Sequence, residues 1–302
     1  SSKLTSRMQH TTVLLHEAVT GLELDPKDTV VDATFGSGGH AREIATHLDS
    51  DGLYIGIDAD ASALQIEKVG EVLPRVELVN DNFKNLTNVL SSLQIEKVDA
   101  ILADLGWRME QFADGAKGFS FQHDGLLQMT FGNPDDYLFT AADIVNEWEE
   151  ENIADVLYGY ADERFSRRIA KGIVEARKEA PIETTFQLVN IIEQSLPRVV
   201  LRKKTHPATK TFQALRIAVN DELTVLSTFI KDGFAALKPG GRMAIITFHS
   251  IEDRVVKHSF RELAQSEQAQ LITKKPISPS VEEIKANPRA RSAKLRIIKK
   301  YS

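Results

Sequence analysis

The stretch Val30-Val31-Asp32-Ala33-Thr34-Phe35-Gly36-Ser37-Gly38-Gly39-His40-Ala41 decides how the chain is read. A short β-rich apolar run enters a turn with three glycines, and a helical pattern leaves it. Glycine has no Cβ to clash and tolerates positive φ, so such a turn lets backbone approach a ligand closely. The N–H groups that open the next helix then face whatever sits there. As text, Gly36-x-Gly38-x-x-Ala41 satisfies the dinucleotide fingerprint G-x-G-x-x-G/A. Asp58 ends the following apolar run, at about the distance where that fingerprint wants a ribose partner. The bland alternative is a tight strand-to-helix corner with no ligand. With Asp58 and the surrounding pattern, the stretch points to a bound nucleoside or nucleotide without saying which.

Outward from this turn, strand and helix signals alternate. Strands are expected at Thr29–Thr34, Leu53–Asp58, Val76–Asn80 and Val98–Asp104, and helices after Gly39, after Asp60 and after Phe83. That alternation predicts an α/β fold with a parallel sheet covered on both faces, whose ligands sit at the carboxyl ends of the strands. Asp58, Phe83 and Asp104 all lie at or just past those ends. Upstream, residues 1–9 read as a flexible leader and His10–Leu22 as a helix. Downstream of Gly106, residues 107–139 lack clear periodicity and fit a long functional loop, and Thr140 to about Arg198 is mainly helical. Pro207–Lys238 reads as one long amphipathic helix returning to the main domain, with Phe212, Leu215, Val219, Leu223, Leu226, Ile230 and Phe234 along one face. Pro239-Gly240-Gly241 would stop it, Arg242–Phe248 would be a buried strand, and Leu271–Lys275 with Ala293–Ile298 a closing pair.

The bulk properties set limits. With 302 residues the chain can hold a large core and an additional domain, and 42% apolar with 26% charged residues is ordinary globular composition. We expect neither a membrane span nor a secretory leader, because no apolar run has the required length. The absence of cysteine excludes disulfides, thiolate metal sites and cysteine nucleophiles, and points to the cytoplasm. A net charge of −6 argues at first against nucleic acid. Its distribution does not, since from Lys285 onward there are seven Lys or Arg and no Asp or Glu.

Each candidate residue has two readings. Asp58 either holds two ribose hydroxyls or is a solvated turn aspartate, and Asp60 beside it is a helix-cap candidate. Asp104 either acts on a substrate in the cleft or caps and pairs locally. Phe83 either stacks on a flat base or belongs to the core. The histidines show no H-x-x-H or H-E-x-x-H spacing, so no protein-caged metal is expected. His249-Ser250-Ile251-Glu252-Asp253 clusters polar groups after a strand, and a Ser-His-Asp hydrolase would use such residues, but the G-x-S-x-G elbow is missing. Arg164, Arg168 and Lys171 share one helical stripe, and Arg202-Lys203-Lys204 with Arg289, Arg291, Lys294 and Arg296 add positive sites. Alone, each is a solvated face; together, around a cleft, they suit a phosphate-rich partner.

With those residues in hand, the chain resembles the RsmH (MraW) family of bacterial 16S ribosomal RNA cytosine-N4 methyltransferases. The similarity rests on Asp32–His40, Gly118-Phe119-Ser120-Phe121, His206–Ile217, Phe248–Arg254 and Asn287–Ser292, in that order, and on His10-Thr11-Thr12-Val13-Leu14-Leu15. The resemblance implies a class I S-adenosyl-L-methionine (SAM) methyltransferase domain, Rossmann-like, in two parts at 1–106 and 205–302, with an inserted helical substrate-recognition domain at 107–204. It implies SAM contacts at Gly38, Gly39, His40, Asp58, Phe83, Asp104 and Gln111. The methionine part would lie by Gly38–His40, the ribose on Asp58 and the adenine by Phe83, with Asp104 and Gln111 bordering the transfer site. Asp104 is the catalytic candidate. The implied substrate is a cytosine in the decoding centre of the small ribosomal subunit, so 16S ribosomal RNA and that subunit are the expected partners, with a homodimer left open.

The chain departs from the family after Asp104-Leu105-Gly106, where Trp107-Arg108-Met109 replaces Val-Ser-Ser. The family's Asp-Gly-Pro-Leu-Asp-Met-Arg-Met becomes Asp124-Gly125-Leu126-Leu127-Gln128-Met129-Thr130-Phe131, losing an acid and a base together. A swapped salt bridge, altered RNA contacts and lost activity are the three readings. Two rivals remain at this point: an NAD-dependent oxidoreductase, which the glycine fingerprint and Asp58 would serve equally, and a non-catalytic RNA-binding or ribosome-assembly factor that keeps the SAM fold.

Overall fold

The structure is a computed structural model that describes residues 12–71, 74–107 and 117–301. The expected leader at 1–9 and the first two residues of the expected helix at His10 lie outside the described residues. The chain divides into two compact units, one of residues 1–107 and 225–302, the other of residues 108–224.

The first unit is built on a seven-stranded sheet of β1 (Thr29–Asp32), β2 (Leu53–Asp58), β3 (Arg75–Asn80), β4 (Val98–Asp104), β5 (Leu237–Thr247), β6 (Ala269–Leu271) and β7 (Lys294–Lys300). Its order is β3-β2-β1-β4-β5-β7-β6. The first five strands run parallel, and β7 is antiparallel to both β5 and β6. The order reverses between β1 and β4, which opens a crevice at their carboxyl ends. Strand residues alternate between two cores. Val31, Ile101, Ala103, Met243, Ile245 and Ile298 face one, and Val30, Ala100, Leu102, Ala244, Ile246 and Ile297 the other. A sheet buried on both faces needs this continuous apolar text, which is why the strands read so clearly in the sequence. Burial of each Ile or Leu contributes roughly 1.5–3 kcal/mol.

Helices α1 (Leu15–Leu22) and α2 (Gly39–Thr46) pack on one face, and α3 (Leu86–Ser92) on the other. The first helix begins five residues later than expected, after a turn in which Leu14 adopts φ 50° and donates its N–H to Glu283 Oε1 at 2.7 Å. Among the described residues between Asp60 and β3 no α-helix forms. The chain makes only turns and a 3-10 turn at Ile66–Lys68, because Asp60 Oδ1 captures the N–H and hydroxyl of Ser62 and Lys68 folds back onto the glycine turn.

The second unit contains α4 (Ala141–Glu147), α5 (Glu150–Ala161), α6 (Ser166–Arg177), α7 (Thr185–Ser195), α8 (Arg198–Leu201) and α9 (Thr209–Val219). Capping boxes at Thr140/Asp143 and Thr184/Gln187 start α4 and α7 by satisfying first-turn N–H groups reciprocally. Ile144, Ile153, Leu157, Ile169, Ile173, Leu188, Ile192 and Leu215 fill its core.

The single helix expected over Pro207–Lys238 is two. After α9 the chain breaks at Asn220-Asp221, with Asp221 at φ 47°, before α10 (Glu222–Ala236). The break has a tertiary cause. Asn220 Nδ2 donates to Met129 O and Arg216 O, and Asn220 Oδ1 accepts Phe131 N–H. In consequence α9 packs on α5 and α4, and the boundary expected at 204 falls after Thr224. Leu226, Phe229, Ile230 and Phe234 of α10 enter the core of the first unit. Pro239-Gly240-Gly241 does not separate helix from strand but forms a bulge inside β5, whose register with β4 shifts between Leu237↔Val98 and Arg242↔Ala100. Helices α11 (Ser250–Gln265) and α12 (Val281–Ala286) complete the unit.

Candidate active site

Three loops converge at the carboxyl ends of β1, β2 and β4. The β1 loop extends the ladder on both sides before it turns: Ala33 N–H reaches Leu102 O at 2.8 Å and Phe35 N–H reaches Ile57 O at 2.9 Å. The Phe35 ring packs beside Tyr54, in space left by Gly56. Gly38 caps α2 at φ 77°, a conformation that an L side chain rarely adopts. A Cβ there would stand 2.7 Å from Lys68 Cβ, and one on Gly39 would strike the Thr12 side chain. The protein itself therefore fills the side-chain space of both glycines. What the turn offers a ligand is the backbone N–H groups that open α2.

Asp58 is buried beneath the turn. Its Oδ2 accepts Gly36 N–H and its Oδ1 accepts Asp60 N–H, both at 2.8 Å. Burial raises its carboxyl above the usual range against these two hydrogen bonds. Each carboxylate oxygen carries two lone pairs, so these bonds leave Asp58 able to accept from a ribose diol as well. Lys68 completes the corner, with Nζ donating to Ala63 O at 2.7 Å and its carbonyl accepting from Arg42 Nε at 2.7 Å.

At the end of β4, Asp104 N–H donates to Thr34 Oγ1 at 2.7 Å, and Asp104 Oδ1 accepts Gly106 N–H at 2.9 Å. Asp104 Oδ2 lies 3.7 Å from Nδ1 of the buried His40. Gly106 packs directly under the Phe248 ring. The expected residues Gly38, Gly39, His40, Asp58 and Asp104 thus share one end of the sheet. Phe83 is different. Its ring is 1% exposed and meets Phe229 edge-on at 5.1 Å, so the core reading describes its side chain in this structure. Gln111 lies outside the described residues, as do Arg108 and Met109.

Sequence reasoning missed Asp32, Thr34 and Tyr54. Asp32 is 1% exposed and accepts Tyr54 O–H at 2.8 Å and Thr34 N–H at 3.1 Å. Burial pushes its carboxyl up to about 6, against the Tyr54 and Thr34 hydrogen bonds. An acid closing an apolar strand just before the glycine turn was the available signal.

The polar block after β5 makes contacts within the fold. His249 Nδ1 caps α11 by accepting Glu252 N–H at 3.3 Å, and His249 Nε2 lies 3.0 Å from Glu252 Oε1. Asp253 takes a two-pronged bond from Arg296, at 2.7 and 3.0 Å, with Lys294 at 3.4 Å. Burial opposes ionisation of Asp253, but these cations outweigh it and hold the carboxyl below its usual range. Asp253 is therefore committed to an ion pair and not to a hydrolase triad. Two of the expected phosphate contacts, Lys294 and Arg296, are likewise consumed here, leaving Arg289 and Arg291 exposed.

In the second unit, Arg164, Arg167, Arg168 and Lys171 are exposed at the start of α6, as are Arg202, Lys203 and Lys204 after α8. In the departing stretch 124–131 the contacts are local to the second unit. Asp124 accepts Phe186 N–H at 3.1 Å at the start of α7, Thr130 is buried with its hydroxyl donating to Gly132 O, and Phe131 stacks on Phe119 at 5.5 Å. Gln128 contributes its carbonyl to Ala141 N–H at 3.0 Å.

The chain is similar to known proteins along nearly its whole length. The ribosomal RNA small subunit methyltransferase H of Symbiobacterium thermophilum is 43% identical over 308 residues, covering 96% of this chain and 96% of that protein. Its counterpart in Brevibacillus brevis is 41% identical over 313 residues, covering 98% and 99%. That of Clostridioides difficile is 40% identical over 308 residues, covering 96% and 98%. The sheet order, with its antiparallel β7, is that of a doubly wound, Rossmann-like α/β sheet. The model of the MraW methylase family matches residues 7–301, and the chain belongs to that family.

Proposed function

We propose that this chain methylates the N4 amine of a cytosine in 16S ribosomal RNA, using SAM as methyl donor. The observation that carries the reading is the convergence, at the switch point of the sheet, of an α2 N-terminus, a buried ribose-competent carboxylate at Asp58 and a second carboxylate at Asp104. The donor set fits the cofactor. The first-turn N–H groups of α2 suit a carboxylate such as that of its methionine part, and Asp58 suits its ribose. Family membership removes the oxidoreductase reading, which the same glycine turn would otherwise have served.

Bound SAM would supply an electrophilic methyl group, the methyl–sulfur bond breaking and a neutral thioether leaving as the amine attacks. The acceptor amine is a poor nucleophile, since its lone pair is delocalised into the cytosine ring. Asp104 answers that problem as an acceptor. Its carboxylate draws on an amine N–H, favours the pyramidal geometry in which positive charge develops, and takes the proton released when the new C–N bond forms. Its position is set by the Thr34 hydroxyl, which accepts the Asp104 N–H, and by the Gly106 N–H, which donates to the carboxylate, and this suits the alignment that such a transfer needs. A base folded into RNA must be turned out of its stack to reach this point.

The substrate we favour is the small ribosomal subunit in the cytoplasm, engaged through the exposed arginines and lysines of the second unit as its substrate-recognition domain. The test is incubation with labelled SAM and small subunits lacking the modification, with naked 16S RNA alongside. Label on a cytosine N4 in the subunits supports the reading. RNA binding and SAM binding without transfer to either substrate replaces it with the assembly-factor reading.

A further inference from the structure

The polar residues beneath Asp104 form a chain across three strands. The ladder of β1 with β4 ends at Asp32↔Leu102, and Ala33 N–H makes one more bond to Leu102 O before the chain enters the glycine turn. Asp104 N–H is the next group on that edge of β4, and no strand remains beside it to accept. A buried donor left without an acceptor is costly. Thr34 Oγ1 supplies the acceptor that the strand no longer does, at 2.7 Å. Thr34 is held in turn, because its N–H donates to Asp32 Oδ1, while Asp32 Oδ2 accepts the hydroxyl of Tyr54 on β2. None of the three side chains is open to solvent.

We propose that Thr34 is a positioning residue for methyl transfer, holding the main chain at Asp104, and with it the carboxylate, from a seat on the buried Asp32–Tyr54 pair. This rests on the reading of Asp104 given above. Asp104 Oδ1 is tied to Gly106 and Oδ2 faces His40, so a shift of the β4 end displaces both oxygens relative to an incoming amine. An apolar corner would hold the strands together without placing an acid in the core. The Asp32 carboxyl, pushed up to about 6 by burial, shows that such an arrangement is costly. What the polar chain adds is a defined place for Asp104.

The experiment compares Thr34→Val, which keeps shape and loses the acceptor, with Thr34→Ser, which keeps it. Kinetics are measured on small subunits, with SAM affinity and Tm taken in parallel. We expect kcat about 10–100-fold lower in Thr34→Val, at a SAM Kd within about threefold of wild type, and Thr34→Ser near wild type. Tyr54→Phe leaves Thr34 in place and removes one support from Asp32, and a loss of about 3–10-fold in kcat is expected. It decides the matter should Thr34→Val fail to fold. Unchanged kcat with a lowered Tm overturns the proposal, as does equal loss in the Val and Ser variants. A fall in SAM affinity that matches the fall in kcat assigns Thr34 to the cofactor side and also overturns it. A wild-type chain that transfers no methyl group overturns the reading of Asp104, and the inference falls with it.

Discussion

The first unit handles its acids in two ways. Along β5 and β7 and at the amino ends of the strands three are matched to cations: Asp253 to Arg296 and Lys294, Asp99 to Lys238 at 2.7 Å, and Glu23 to Arg242. At the carboxyl ends of β1 and β2 they are answered by N–H and O–H donors instead, Asp32 by Tyr54 and Thr34, Asp58 by Gly36 and Asp60. The carboxyls shift accordingly. Asp253 is held below its usual range, whereas burial raises Asp32 and Asp58. One arrangement closes the fold, and the other sets buried carboxylates at the strand ends that carry the glycine turn. The contrast supports the proposed placement of the chemistry at the carboxyl ends of the strands.

The sharpest way to break this contrast is to remove a cation. Arg296→Met leaves Asp253 buried with Lys294 at 3.4 Å as its remaining cation among the described residues, and we expect a loss of about 3 kcal/mol in stability, read by denaturant unfolding, with SAM affinity retained in the folded fraction. Retained stability would show that the pair is dispensable.

A difference measurement on Asp32 tests the other class. A carboxyl raised from 3.8 to about 6 in the folded state favours folding most at low pH, and that contribution is lost as pH rises through this window. Asp253 runs the opposite way, its contribution being present above 3.8 and lost as pH falls through its lower folded value. Unfolding free energies of wild type and Asp32→Asn across pH 4–7 are therefore expected to converge or cross in favour of the variant as pH rises. The relative change is on the order of 2–3 kcal/mol. Curves that stay parallel would contradict it.

Asp58→Ala is expected to weaken SAM binding about 10–30-fold by calorimetry, through the lost ribose contact and a loosened Gly36 turn. Unchanged affinity would remove Asp58 from the cofactor site. The smallest effect belongs to Lys238→Met. Its pair with Asp99 is partly exposed, so a change under about 1 kcal/mol is expected, with no effect on methyl transfer.

What was legible in the sequence followed from local period and turn chemistry. Buried parallel strands must read as apolar runs, so β1, β2 and β4, with the turn at Gly36–Gly39 and the acids Asp58 and Asp104, lay open to inspection. What was not legible depends on partners far along the chain. Asn220 breaks a helix because Met129 and Phe131 lie beside it, and no pattern within 207–238 contains that. Thr34 and Asp104 are 70 residues apart, and Tyr54 meets Asp32 across 22. Lys68 lies on the glycine turn where a helix was expected. Phe83 shows the same limit from the other side, since exposure of an aromatic ring is set by packing, here against Phe229.

The most direct test of the assignment of chemistry to the β4 end is single-turnover methyl transfer by Asp104→Asn, saturated with SAM, to small subunits lacking the modification. The substitution keeps the shape and the backbone bond to Thr34 while removing the charge that accepts the proton. The account expects SAM binding within a few-fold of wild type and transfer slowed by about 10²–10⁴-fold. Transfer at the wild-type rate would contradict it and move the reaction centre away from Asp104.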